Sequence, residues 1–203
     1  MDLILIRHPA PAVGVGICYG KTDVPLAGDA AEAARSIAER LAALGAPSPQ
    51  HLVTSPLQRC TSLAEGLARH FDCVCRIDAR LQEIDFGEWE GQAWDAIDRA
   101  ALDAWAADLR HARMHGGESV EQFESRIGAW LEGWTASIAA SAVTVQAPRV
   151  LAVTHAGVMR MIAALTLGAP LETTLKWPLE MPAVVWLRRA PSNGAWRLLH
   201  WNV

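Results

Sequence analysis

Four side chains in this sequence have types and positions that suit work on an anion. Arg7 and His8 are adjacent, Arg59 closes the run Thr54-Ser55-Pro56-Leu57-Gln58-Arg59, and His155 opens His155-Ala156-Gly157. Each group directly follows a short apolar stretch, namely Leu3 to Ile6, His51 to Thr54 and Arg149 to Thr154. Two arginines and two histidines make poor company in one pocket unless an anion lies between them, since desolvated cations repel, and arginine forks match the geometry of phosphate. A neutral imidazole is also a good nucleophile towards phosphorus. Taken singly, either histidine reads more readily as a satisfied structural group. Their coincidence at three strand ends is what points to a site.

The elements that must position these residues follow from periodicity and punctuation. Leu3 to Ile6 is a continuous apolar run, as in a buried strand, and a loop rich in Pro and Gly follows from Pro9 to Pro25. Asp29 to Leu44 reads as a helix with Ile37, Leu41 and Leu44 on one face and Gly45 as its stop. His51 to Thr54 is a second strand, Pro56 suits the first turn of a helix running towards His70, and Cys73 to Ile77 is a third strand. Residues 81 to 118 are the least regular, with a short helix expected from Trp94 to Leu109. Ser119 with Gln122 is a capping-box signature for a helix reaching about Ser137. Arg149 to Thr154 is an apolar strand, and Val158 to Leu167 a helix closed by Gly168. Ala183 to Leu187 and Trp196 to His200 flank the turn Pro191-Ser192-Asn193-Gly194. Strands alternating with helices and ending in a hairpin predict a three-layer α/β/α fold with a mostly parallel central sheet. The carboxyl ends of parallel strands share one edge, so Arg7, His8, Arg59 and His155 are expected to converge.

At this point the sequence resembles the histidine phosphatase (phosphoglycerate mutase-like) superfamily. The carrying segments are Leu5-Ile6-Arg7-His8, Ser55-Pro56-Leu57-Gln58-Arg59, Leu81 to Gly91 (LQEIDFGEWEG), Gly116-Gly117-Glu118-Ser119 and His155-Ala156-Gly157-Val158-Met159-Arg160. They stand in the family's order and at its spacings. The resemblance implies a phosphoglycerate mutase-like fold and His8 as the nucleophile that becomes phosphorylated. It places Arg7, Arg59 and His155 around the transferred group, as two guanidiniums and an imidazolium, and Glu83 as proton donor to the leaving alcohol. Those roles suit phosphoryl transfer, which asks the protein for positioning and for charge against the equatorial oxygens. With cations supplied by side chains, no metal or other cofactor is expected. The loop Tyr19-Gly20-Lys21-Thr22-Asp23-Val24-Pro25-Leu26 is similar to the family's substrate-side loop, which makes Tyr19, Gly20 and Lys21 candidate substrate contacts together with Ala156. The family's glycine, hydroxyl residue and asparagine after Arg-His are replaced by Pro9-Ala10-Pro11-Ala12-Val13-Gly14, so backbone amides around Gly14 are expected to take over phosphate contacts.

Other chemistry-bearing residues have plainer readings. Asp85, Glu88 and Glu90 are local rivals of Glu83, but loop solvation or capping accounts for them, and Glu118 and Ser119 belong mainly to a helix start. His111 and His115 have the spacing of a metal pair on a helix, without a third ligand nearby; a solvated helix end is the better account. Nine tryptophans accompany one tyrosine and three phenylalanines, and core and groove packing explains the excess better than a cofactor box. Trp89 and Trp94 follow Glu83 closely enough to flank a flat substrate group.

The chain has 203 residues, 51% of them hydrophobic, which suits a single domain over 1–203 and excludes disorder. Its 18 Lys and Arg against 22 Asp and Glu give a net charge of −4, which speaks against nucleic acid and anionic membranes as partners. A small phosphate ester in a local cationic pocket remains compatible with that balance. Met161 to Leu167 and similar apolar runs fall far short of the roughly 20 residues that span a bilayer. Cys18, Cys60, Cys73 and Cys75 lack metal-ligand spacing and read as reduced thiols of a cytoplasmic protein, although an even count leaves a disulfide open. The hairpin edge and the tryptophans would support a homodimer. The proline-bearing start, Cys18-Tyr19-Gly20 and Phe86-Gly87-Glu88-Trp89-Glu90-Gly91 are most similar to the α-ribazole-5′-phosphate phosphatases of cobalamin assembly. The expected activity is therefore phosphomonoester hydrolysis. The alternatives are a broad-specificity phosphatase, a phosphoglycerate-type mutase, and a non-catalytic phosphate-binding protein on the same fold.

Overall fold

The computed structural model describes residues 1–140 and 148–203. Six strands form one sheet: β1 (Asp2–Arg7), β2 (His51–Thr54), β3 (Cys75–Ile77), β4 (Arg149–Thr154), β5 (Ala183–Arg189) and β6 (Trp196–His200), in the order β3-β2-β4-β1-β5-β6. The four strands from β3 to β1 are parallel, whereas β5 and β6 run antiparallel to their neighbours. The helices are α1 (Ala30–Ala43), α2 (Gln58–Phe71), α3 (Arg99–Ala107), α4 (Val120–Ala140), α5 (Ala156–Leu167) and α6 (Leu171–Leu175).

Alternation along the central strands decides the layers. Leu3 and Leu5 of β1 pack on one face with Ile127 and Trp130 of α4 and with Met161 and Ile162 of α5. Ile4 and Ile6 point the other way, onto Ile37 and Leu41 of α1 and Leu63 and Leu67 of α2. A strand buried on both faces reads as a continuous apolar run, which is why β1 and β4 are so conspicuous in the sequence. Each fully buried leucine or isoleucine contributes about 1.5–3 kcal/mol relative to exposure. The result is the mixed sheet between helical layers that the sequence predicts.

Local signals hold with informative exceptions. Asp29 caps α1 by accepting from the Ala31 and Glu32 N–H groups. The Ser119–Gln122 box closes reciprocally, at 3.0 and 3.1 Å. The helix after β2 starts later than Pro56 implies, at Gln58, because a remote residue organises that end: Gln58 N–H donates to Asp23 Oδ1 at 2.7 Å. The third strand is confined to Cys75–Ile77, α3 to Arg99–Ala107 behind its Asp98 cap, and α5 begins two residues early, at Ala156. The short α6 has no sequence signal among the expectations above. All four cysteines are free thiols. Among the described residues no helix is long and apolar enough to cross a membrane.

Most of the irregular region 81–118 condenses on an aromatic cluster. Cys18, Trp89 and Ile97 are buried there against Phe86, Trp94 and Trp105. His115 joins them with edge contacts to Phe86, Trp89 and Trp105, centroids 4.9 to 6.4 Å apart. The solvated helix end expected for the two histidines therefore holds for exposed His111, paired with Asp108 at 2.9 Å, and fails for His115.

Candidate active site

Register alone brings the two histidines together. Arg7 of β1 pairs with Thr154 of β4, and His8 N–H donates to Thr154 O at 3.1 Å, so His8 and His155 leave neighbouring strands at the same level. Their ring centroids lie 5.2 Å apart. One cavity of about 120 Å³ is lined by Arg7, His8, Arg59, Glu83 and His155, with Tyr19, Gly20 and Ala156 at its wall. Ile17, Cys18, Phe86 and Trp94 complete that wall; of these four the sequence offers only Trp94 as a group to flank substrate. Gly14 and Lys21 stand outside it. Gly14 is exposed in the preceding turn, and Lys21 pairs with Asp85 at 3.3 Å along a neighbouring polar groove.

The protonation of His8 is set by its surroundings. Nδ1 lies 2.6 Å from Pro9 O, and a carbonyl can only accept, so Nδ1 carries the proton and the Nε2 lone pair is left free. Burial pushes the His8 pKa down to about 3, with Arg59 and Arg7 adding to the shift and the Pro9 bond opposing it. The ring is neutral near pH 7. His155 is also neutral, which corrects the imidazolium expected from the sequence: burial, His8 and Arg59 hold its pKa well below the usual value. Arg59 Nε donates to His155 Nδ1 at 3.3 Å, so the ring proton sits on Nε2 and is donated to Ser55 Oγ at 2.8 Å. Cationic charge in the pocket thus comes from the two arginines.

Arg59 is fully buried at the start of α2 and is held by main-chain carbonyls, Nη1 to Thr22 O at 2.7 Å and Nη2 to Gly20 O at 2.6 Å. Its guanidinium also lies 5.3 Å from the Tyr19 ring centroid. Gly20 is irreplaceable on spatial grounds, because a Cβ there would run into the Ile84 carbonyl. The substrate-side loop is stitched down by Glu90, which accepts from the N–H groups of Lys21, Thr22 and Phe86 and from the Thr22 hydroxyl. Loop solvation or capping is all the sequence suggests for Glu90, because its hold on the loop depends on a contact 69 residues away that no local pattern announces.

Glu83 enters from the loop after Leu81. Its Oε2 accepts from Gly157 N–H at 2.9 Å, in the first turn of α5, and its Oε1 from Ile84 N–H at 3.1 Å. Burial raises its pKa, while those two N–H groups and the arginines pull the other way. A carboxyl raised by burial and still facing a cavity is suited to hold and release a proton. Glu118 and Ser119 serve structure as expected, Glu118 forming a two-point pair with Arg126 at 2.7 and 2.9 Å.

Comparison with known proteins matches residues 3–203 to the family described as the histidine phosphatase superfamily (branch 1). The chain belongs to that superfamily. This histidine phosphatase is 30% identical over 218 residues to a glucosyl-3-phosphoglycerate phosphatase of Mycolicibacterium vanbaalenii, covering 98% of this chain and 93% of the relative. It is 28% identical to a probable phosphoglycerate mutase of Salmonella paratyphi C, over 74% of this chain and 67% of that one. The α-ribazole phosphatase of Shigella flexneri superposes with a TM-score of 0.83 at 23% identity, covering 100% of this chain and 96% of that structure, which shows a shared fold. The protein is a phosphatase of this superfamily.

Proposed function

We propose that this phosphatase works through a phosphohistidine on His8, hydrolysing α-ribazole 5′-phosphate. The observation that carries the mechanism is the Nδ1 bond of His8 to Pro9 O, which leaves a neutral ring with a free Nε2 in a pocket shared with two guanidiniums and a buried carboxyl. In the first step Nε2 forms a bond to phosphorus, the ester P–O bond breaks, and protonated Glu83 gives its proton to the leaving alkoxide. In the second, water attacks phosphorus while Glu83 carboxylate takes one of its protons. The P–N bond breaks, phosphate leaves, and both residues return to their starting forms. Arg7 and Arg59 lie against the phosphoryl oxygens, and the start of α5 at Ala156 adds the favourable end of a helix dipole.

The substrate assignment is supported by the motif resemblance and by the cavity wall. Tyr19, Phe86 and Trp94 offer ring surface to a flat heterocycle, while Trp89 is buried behind them. Such a substrate is an internal metabolite of cobalamin assembly, and we place the protein in the cytoplasm. A second reading, a glucosyl-3-phosphoglycerate phosphatase, is favoured by the relative at 30% identity and by a polar groove of about 470 Å³. Lys21, Arg113 and Arg126 line that groove, which meets the catalytic cavity at Glu83. Phosphate release from α-ribazole 5′-phosphate, glucosyl-3-phosphoglycerate and 3-phosphoglycerate decides between them, with isomer formation scored on the last. The expected result is a kcat/KM for α-ribazole 5′-phosphate at least ~100-fold above the others, the discrimination a well-matched pocket gives. Faster turnover of the glucosyl ester would overturn the substrate assignment and leave the chemistry standing.

Gly157 offers a test of how Glu83 is held. A Cβ at this position would collide with the Glu83 carboxylate. Gly157 is the second residue of α5, where alanine's advantage falls below the about 1 kcal/mol of a helix interior. That gain is offset by pushing a buried carboxylate off its N–H partners, so Gly157→Ala is expected to leave the melting temperature close to that of the wild type. Turnover is expected to fall about 10- to 100-fold because the proton donor is displaced. Thermal unfolding and steady-state kinetics on one preparation check both halves.

A further inference from the structure

Four successive main-chain carbonyls between α6 and β5 are each taken by a side-chain N–H from another element. Trp177 O accepts from Arg160 Nη2 at 3.1 Å and Pro178 O from Trp201 Nε1 at 2.6 Å. Leu179 O and Glu180 O both accept from Arg7 Nη1, at 2.5 and 3.1 Å. The segment is fixed from its other side by the run that follows β6. Glu180 N–H donates to Asn202 Oδ1 at 2.6 Å, and Trp201 stacks edge-on against Trp177 with centroids 4.9 Å apart. That run is itself anchored: Val203 exchanges two main-chain bonds with Val184 and accepts from Arg40 Nη1 at 3.1 Å.

The consequence falls on Arg7. A guanidinium presents its donors in a planar fork, so fixing Nη1 on two carbonyls fixes the direction of the opposite edge. Arg7 Nε is buried and has no protein acceptor among the described residues, and Arg7 lines the catalytic cavity. We infer that Asn202 and Trp201 are positioning residues for phosphate recognition: by holding segment 177–180 they aim the free edge of Arg7 at the phosphoryl oxygens. This rests on the reading of the His8 pocket as the phosphoryl site.

Asn202 is well suited to a clean test because its backbone is left-handed, φ 58°. Asn202→Gly removes the acceptor without backbone strain, and Asn202→Asp restores a carboxylate acceptor in its place. Inorganic phosphate is the probe, as a competitive inhibitor. Asn202→Gly is expected to raise its inhibition constant and lower kcat/KM together, by about tenfold, within the ~100-fold that a misplaced group costs. Asn202→Asp is expected to recover most of the loss, and in an Arg7→Ala background Asn202→Gly is expected to change nothing further. Trp201→Phe deletes the indole donor and trims the ring while keeping an aromatic against Trp177, so it probes the same link by a second route. Unaltered phosphate inhibition in both folded variants, or full additivity with Arg7→Ala, overturns the inference alone. Unaltered inhibition in Arg7→Ala itself overturns it together with the reading of the pocket.

Discussion

His8→Ala is expected to reduce turnover at least ~10⁴-fold, to the residual level that phosphate binding alone supports. The size follows from the lack of a substitute. The nearest imidazole, His155, already accepts from Arg59 and donates to Ser55, so neither of its nitrogens has a lone pair free to attack. Cys60 lies 3.5 Å from His155 Nε2, but its thiol is fully buried and its pKa is pushed up, which leaves it an unreactive neighbour. The diagnostic measurement is covalent labelling. Wild-type protein mixed with ³²P-labelled ester is expected to carry an acid-labile, alkali-stable phosphoryl group, and the alanine variant none. Retention of more than a tenth of the wild-type rate by a folded His8→Ala protein would sink the phosphohistidine mechanism. The same imidazole bears on stability. With its pKa lowered to about 3, an unfolded chain takes up a proton at His8 that the folded chain refuses, from the ordinary value of 6.5 downwards. Stability from this group is therefore complete above pH 6.5 and falls as pH drops towards 3.

How far the sequence reaches depends on which kind of group does the work. β1 and β4 are legible because strands buried on both faces must be apolar throughout, and the chemistry begins at the next residue. Convergence of Arg7, His8, Arg59 and His155 then follows from parallel topology without knowledge of any side-chain contact. Glu83 is legible only through its motif, since residues 81–90 have no periodicity and the carboxyl is fixed by a helix 74 residues further on. Gly14 draws attention as a glycine near the nucleophile, yet the cavity wall is made by Ile17 and Phe86, whose types suggest nothing but packing. Most opaque are the groups that hold the arginines. The Gly20, Thr22, Leu179 and Glu180 carbonyls are main-chain atoms common to all residues, so their roles are invisible before the chain is folded.

Replacing Glu83 by glutamine is expected to lower kcat about 10²- to 10⁴-fold on alkyl phosphates, the range attributed to a positioned proton donor. The loss is expected to depend on the leaving group. An alkoxide leaves poorly without a proton, whereas p-nitrophenolate needs none, so phosphorylation of His8 by p-nitrophenyl phosphate should survive the substitution nearly intact. Water attack in the second step still needs a base, and the phosphoenzyme should therefore accumulate after a burst of one p-nitrophenolate per site. Titration gives an independent sign. Burial raises the Glu83 pKa above the ordinary carboxylate value, so the acid form needed for the first step persists to higher pH than in a free side chain. As pH rises through that raised value the donor is lost, and kcat/KM for an alkyl phosphate falls on the alkaline side. The nucleophile imposes no acid limb above about pH 3, because His8 stays neutral down to that point. The alkaline limb should vanish in Glu83→Gln and be absent in the wild type with p-nitrophenyl phosphate. A limb that persists in both would remove Glu83 from the proton transfer, whatever the rate of the variant.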